Sequence, residues 1–198
     1  MSRNFGAKGT PAEREIAAIL SNATPWRVER MYCEGIRRDR GDLRGVPHHA
    51  VQVANMRNLA TAARHKVIAA EKQMINYKSI DSSICHCVSM IRLRHRRVSN
   101  PYDRWRVVFS ADQFARYDLG IPPSYLDLVA KPPSEFSSQL QNPCSNFFID
   151  GIASVTVCRM AKSRLLETKN DAIRVVALVP EWIRIAMYSY GRMMGEVS

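Results

Sequence analysis

Two groups of arginines are the side chains in this sequence best placed to do chemistry. Arg37, Arg38, Arg40 and Arg44 form the first, and Arg92, Arg94, Arg96, Arg97, Arg104 and Arg106 the second. A guanidinium stays charged at any physiological pH, and its planar fork of N–H donors matches two oxygens of a phosphate or carboxylate. Tyr102 and Trp105 lie within the second group. Arginine interleaved with aromatic rings suits a phosphate backbone with exposed, stackable bases. The ten arginines and Trp105 are therefore the predicted RNA contacts.

The charge of the whole chain follows these groups. Residues 1–106 carry 20 Lys and Arg against nine Asp and Glu, whereas residues 107–198 carry nine of each. Arginine outnumbers lysine 22 to 7. A basic half joined to a neutral one implies one surface held against a polyanion while the rest packs or meets other protein. RNA is the favoured polyanion; an acidic protein neighbour or anionic lipid headgroups fit the same charge.

Other candidates point to chemistry less well. Cys85-His86-Cys87, with His95 nearby, contains metal-ligand types, but structural zinc sites pair cysteines as C-x2-C and need about four ligands. No second cysteine pair follows at that spacing. His48-His49 behind Pro47 reads as a polar helix start, and Cys33 has no local nucleophile signature. Gly41-Asp42-Leu43-Arg44-Gly45 lacks the lysine and the flanking strand of a phosphate loop. No catalytic residue, metal site or cofactor is expected, so the protein reads as non-catalytic.

The elements that position these residues read as mainly α. Thr10-Pro11-Ala12-Glu13 is a capping box with proline at the first helical position. Thr24-Pro25 starts a second helix on the same logic, with Val28, Tyr32 and Ile36 inward. Val53, Met56, Leu59, Ala63, Val67, Ala70, Met74 and Tyr77 recur at three or four residues, predicting one long central helix from Pro47 to Tyr77. A further helix is predicted from Asp81 to about Arg96. Asn100-Pro101 breaks the chain, and Ser110-Ala111-Asp112-Gln113 caps a short helix. Pro122-Pro123 and Pro132-Pro133 bracket an extended arm, since proline cannot join a regular ladder. The stretch from 145 to 179 permits helix or strand and is read as helix, and Pro180 opens a last helix.

Three parts result: a basic helical part over 1–99, an irregular proline-rich arm over 100–143, and a neutral C-terminal part over 144–198 packed with the first. No apolar run approaches the 18–20 residues of a membrane span, although peripheral membrane contact fits the charge. Five cysteines are an odd number without a disulfide pattern, which suits a reducing compartment, mitochondrial or cytosolic. The favoured reading is a structural subunit of a large ribonucleoprotein of ribosomal or organellar-ribosomal type, meeting RNA and neighbouring subunits. The alternatives are an accessory subunit of a mitochondrial membrane complex, such as a respiratory-chain or ATP synthase assembly, and a viral nucleocapsid or coat protein.

Overall fold

Where the apolar spacing predicts one helix from Pro47 to Tyr77, the chain makes a strand, a short break and a shorter helix. The computed structural model describes residues 10–31, 39–94, 98–121, 124–126, 146–149, 151–159 and 173–195. Within them His49–Met56 is strand β3 and Leu59–Lys78 is helix α2. The break is made by Asn58, whose side chain accepts the backbone N–H of Thr61 and so caps α2. The predicted helix from Asp81 is also a strand, β4, spanning His86–Leu93. β3 and β4 pair in parallel over their whole length, from His49 opposite His86 to Met56 opposite Leu93. A parallel pair needs a long crossover, and α2 supplies it.

The remaining strands build outward from that pair. β2 (Leu43–Arg44) pairs with β3 on its other side, and β1 (Glu29–Arg30) pairs with β2 at the edge. β5 (Trp105–Ser110) runs antiparallel beside β4. β6 (Asn146–Ile149), β7 (Ala153–Arg159) and β8 (Ile173–Ala177) complete one eight-stranded mixed sheet, in the order β1-β2-β3-β4-β5-β8-β7-β6. The mainly-α, all-helical expectation is therefore overturned, and the protein is α+β. The helix predicted after Pro25 is likewise replaced where it is described: Trp26 and Val28 are buried and β1 follows. The segments of 145–179 read as helix are the strands β6, β7 and β8, while β5 lies in the stretch expected to be irregular. Residues 122–123 and 127–143 of the proline-rich arm, including both proline pairs, lie outside the described residues.

Helices cover both faces of the sheet. On one face lie α1 (Thr10–Ala23) and α4 (Val179–Met193), with Ile16, Leu20, Trp182 and Ile185 packed on Val51, Met90, Val107 and Val175. On the other lies α2, whose Leu59, Ala62, Ala63 and Val67 meet Ala54, Ile91, Val108 and Val176. The capping signals at Thr10 and Pro180 coincide with the starts of α1 and α4. Ser110 caps the short α3 (Ala111–Ala115) by accepting the N–H of Gln113. Trp182, Ala186 and Ser189 point inward, and Met187 and Met194 are exposed.

Gly45 fixes the approach of the β2–β3 connection to the chain before β1. Its φ is +88°, and a Cβ there would lie 2.0 Å from the Arg27 carbonyl oxygen. Backbone must move to admit a methyl group. Gly45→Ala should therefore destabilise the fold by about 3 kcal/mol, read from the urea midpoint at unchanged m-value.

Candidate functional site

Pairing between β4 and its neighbours gathers arginines at the end of the sheet where β3 and β4 finish. The β3–β4 ladder runs one step past Leu93, with the Arg94 N–H donating to the Met56 carbonyl at 2.9 Å. Arg57 and Arg94 thereby leave the sheet side by side, both exposed, with no acidic partner among the described residues. Arg92 lies opposite Trp105, and Arg106 opposite Ile91. Arg92 and Arg104 share one carboxylate, that of Glu15 on α1, at 2.9 and 3.8 Å. Arg106 donates to the backbone carbonyls of Asp103 and Trp105. The N-terminus of α2, with no acid in its first turn, opens at the same end. Its partial positive charge adds to that of the arginines.

The structure brings together only part of the predicted set. Arg92, Arg94 and Arg104 come together at this end, and Arg57, which sequence spacing did not single out, joins them; Arg106 is on the α2 face of the sheet, opposite Ile91. Trp105 is fully buried, and its indole N–H donates to Glu15 at 3.1 Å, so it offers no open face to a base. It instead orients the carboxylate that Arg92 and Arg104 share. Arg40 and Arg44 lie elsewhere, near Tyr77 at the far end of α2. A 20-residue helix spans about 30 Å, so the two groups form separate surfaces. Arg44 pairs with Glu29 at 2.6 Å, and with Arg27 it holds that carboxyl below its usual range. Arg37, Arg38, Arg96 and Arg97 lie outside the described residues. Only backbone register reveals Arg57 as a neighbour of Arg94; the two are 37 positions apart.

At the opposite end of β3 and β4 a polar, uncharged cluster is buried. Trp182 Nε1–H donates to the Tyr117 hydroxyl at 3.1 Å, and that oxygen lies 2.8 Å from His49 Nε2. The Pro47 carbonyl can only accept, so the proton of the neutral His49 ring is on Nδ1, and Nε2 accepts from the Tyr117 hydroxyl. His49 is thus a fully satisfied, neutral imidazole. His86 stacks on it at 4.9 Å and on Tyr117 at 4.4 Å, within 5° of parallel. Burial pulls the His49 pKa down to about 3 and that of His86 to about 4, with His48 and Arg116 adding to the effect on His86.

The Cys-His-Cys segment serves separate ends. Cys87 faces α2 beside Ala50 and Met74, where burial pushes its thiol up, while Cys85 and His86 border a cleft on the other face. Cys85 and Cys87 are free thiols, and no group of three metal-ligating side chains occurs among the described residues. No described helix is long and apolar enough to cross a membrane. No protein family, curated protein or solved structure matches this chain.

Buried titratable groups make stability depend on pH with a defined sign. Below about pH 6.5 the unfolded chain protonates both histidines, while the folded chain keeps them neutral down to about pH 4. Their contribution to stability is therefore complete above pH 6.5 and is lost as pH falls. Asp42 acts oppositely: burial raises its pKa to about 6 from 3.8, so the folded chain holds a proton that the unfolded chain has released. From pH 6 to 4 two histidines oppose one carboxyl, leaving a net fall of about 1.4 kcal/mol per pH unit from these groups. Urea titrations across that range should show the fall, and Asp42→Asn should roughly double its slope.

Proposed function

We propose that this protein is a non-catalytic structural subunit of a ribonucleoprotein, holding RNA phosphates at the arginine-lined end of its sheet. The observation that carries this reading is the adjacency of Arg57 and Arg94, exposed and without acidic partners among the described residues, beside two further arginines that share one carboxylate. Paired arginines are satisfied by their acids; unpaired ones concentrated at one end attract a polyanion. Backbone contact of this kind specifies no sequence and weakens steeply with salt, because each contact releases counterions. Burial of Trp105 removes base stacking by that residue, so affinity at this end rests chiefly on phosphates.

Binding of single-stranded RNA between about 50 and 200 mM salt tests the reading. Wild type should lose orders of magnitude in affinity over that range. Arg57→Gln with Arg94→Gln should weaken binding and flatten the log–log salt slope by about 1.4, the share of two contacts on a single strand. Glu15→Gln should act in the opposite direction, because it keeps an acceptor for the Trp105 indole while freeing Arg92 and Arg104 from their acid. Absence of RNA binding at low salt, or a slope insensitive to these changes, would remove the reading.

A further inference from the structure

The stacked histidines sit in register across β3 and β4 yet differ in one respect. Each nitrogen of His49 has a partner, whereas neither nitrogen of His86 has one, although His86 is 1% exposed. A buried polar group without a partner is costly, and native structures seldom leave one. Its ring is also packed against the rings of both His49 and Tyr117. His86 lines a cleft of about 450 Å³ between the start of β4, the turn after α3 and the last turns of α4. That volume lies in the range of small-molecule sites.

The rest of the cleft has a definite chemistry. Arg116 and Arg192 bring two guanidiniums, and Met193 brings an apolar wall. Arg192 is tied to Asp118, donating to its carbonyl at 2.9 Å and lying 3.5 Å from its carboxylate. Arg116 is exposed and has no acidic partner among the described residues. His48 and Arg116 both act on His86. Burial above all, with the neighbouring charge of Arg116, keeps the His86 imidazole neutral, with one N–H to donate and one nitrogen to accept. Arg116 and Arg192 against the single acid Asp118 leave the cleft positive.

We propose that this cleft binds a small organic oxyanion, a carboxylate or phosphate monoester on an apolar body. Its charged group lies between the Arg116 guanidinium and the His86 N–H, and its body lies along Met193. The ligand supplies what the fold withholds from His86. The site is far from the arginine-lined end and independent of it.

Imidazole NMR signals of His86, followed while the full chain is titrated with sodium benzoate or sodium phenyl phosphate, test the proposal. Either oxyanion should shift these signals at up to millimolar concentration, with benzyl alcohol as the uncharged control that should not. The two arms tell carboxylate from phosphate. Arg116→Gln should weaken binding by about 10- to 100-fold, the loss of one charge-assisted hydrogen bond. His86→Phe keeps a ring in the stack and removes the two unpartnered nitrogens, so it should abolish binding while leaving the melting temperature equal or higher. A purely structural histidine would lower it. Arg116 is on the surface, so Arg116→Gln keeps the test decisive if the His86 variant fails to fold. No shift with either oxyanion, or equal affinity in Arg116→Gln, would overturn the proposal. Neither variant should alter RNA affinity or its salt slope, so failure here is distinguishable from failure of the RNA reading.

Discussion

The parallel pairing of His49–Met56 with His86–Leu93 underlies everything else in this molecule. Both strands are buried on both faces along most of their length, so each must meet helices above and below. α2, as the crossover, necessarily covers one face, and the opposite face is left for α1 and α4. The same register decides the two ends. At one end it sets Arg57 beside Arg94, and at the other it stacks His86 on His49. A slip of one residue would turn both strands over and undo both arrangements at once.

The chain's arginines divide according to what the fold leaves for them. Arg174 is 1% exposed and serves the interior, donating through Nε to the Ala63 carbonyl of α2. Arg30 is paired with Glu13 and Arg44 with Glu29, tying the β1–β2 edge together and to α1. Arg57 and Arg94 stand apart because the strands that carry them end in solvent with no acid nearby among the described residues. A net charge of +11 therefore overstates the cationic surface in some places and understates its concentration in others. The histidine end shows the reverse treatment of polarity. There the buried cluster is uncharged, and Trp182, Tyr117 and His49 form one hydrogen-bond chain.

Local signals were legible wherever a few neighbouring residues make the decision. The capping box at Thr10, the Ser110 cap and Pro180 each mark a helix start that the structure contains, because a cap is a bond between residues two or three apart. Apolar periodicity held for the part of the long segment that is α2, where Leu59, Ala63, Val67, Ala70 and Met74 are buried. It misled over Val53 and Met56, and again over Ile84 to Ile91. A strand covered on both faces loses its polar–apolar alternation and reads as an apolar run that a helical period can match by accident. Asn58 was the missed signal, a capping residue ahead of a helical run. Trp105 was misjudged for a related reason: its neighbours are arginines, but its ring belongs to the interior.

From its amino acids alone, this chain declares its excess of arginine, the concentration of that excess before residue 107, and the starts of three helices. Composition and short-range bonding carry such properties without reference to the rest of the chain. Which arginines are neutralised, which histidine lacks a partner and which strands lie together depend on contacts between residues tens of positions apart. Those contacts are selected by burial of the sheet on both faces, a property of the packed molecule that no local stretch contains.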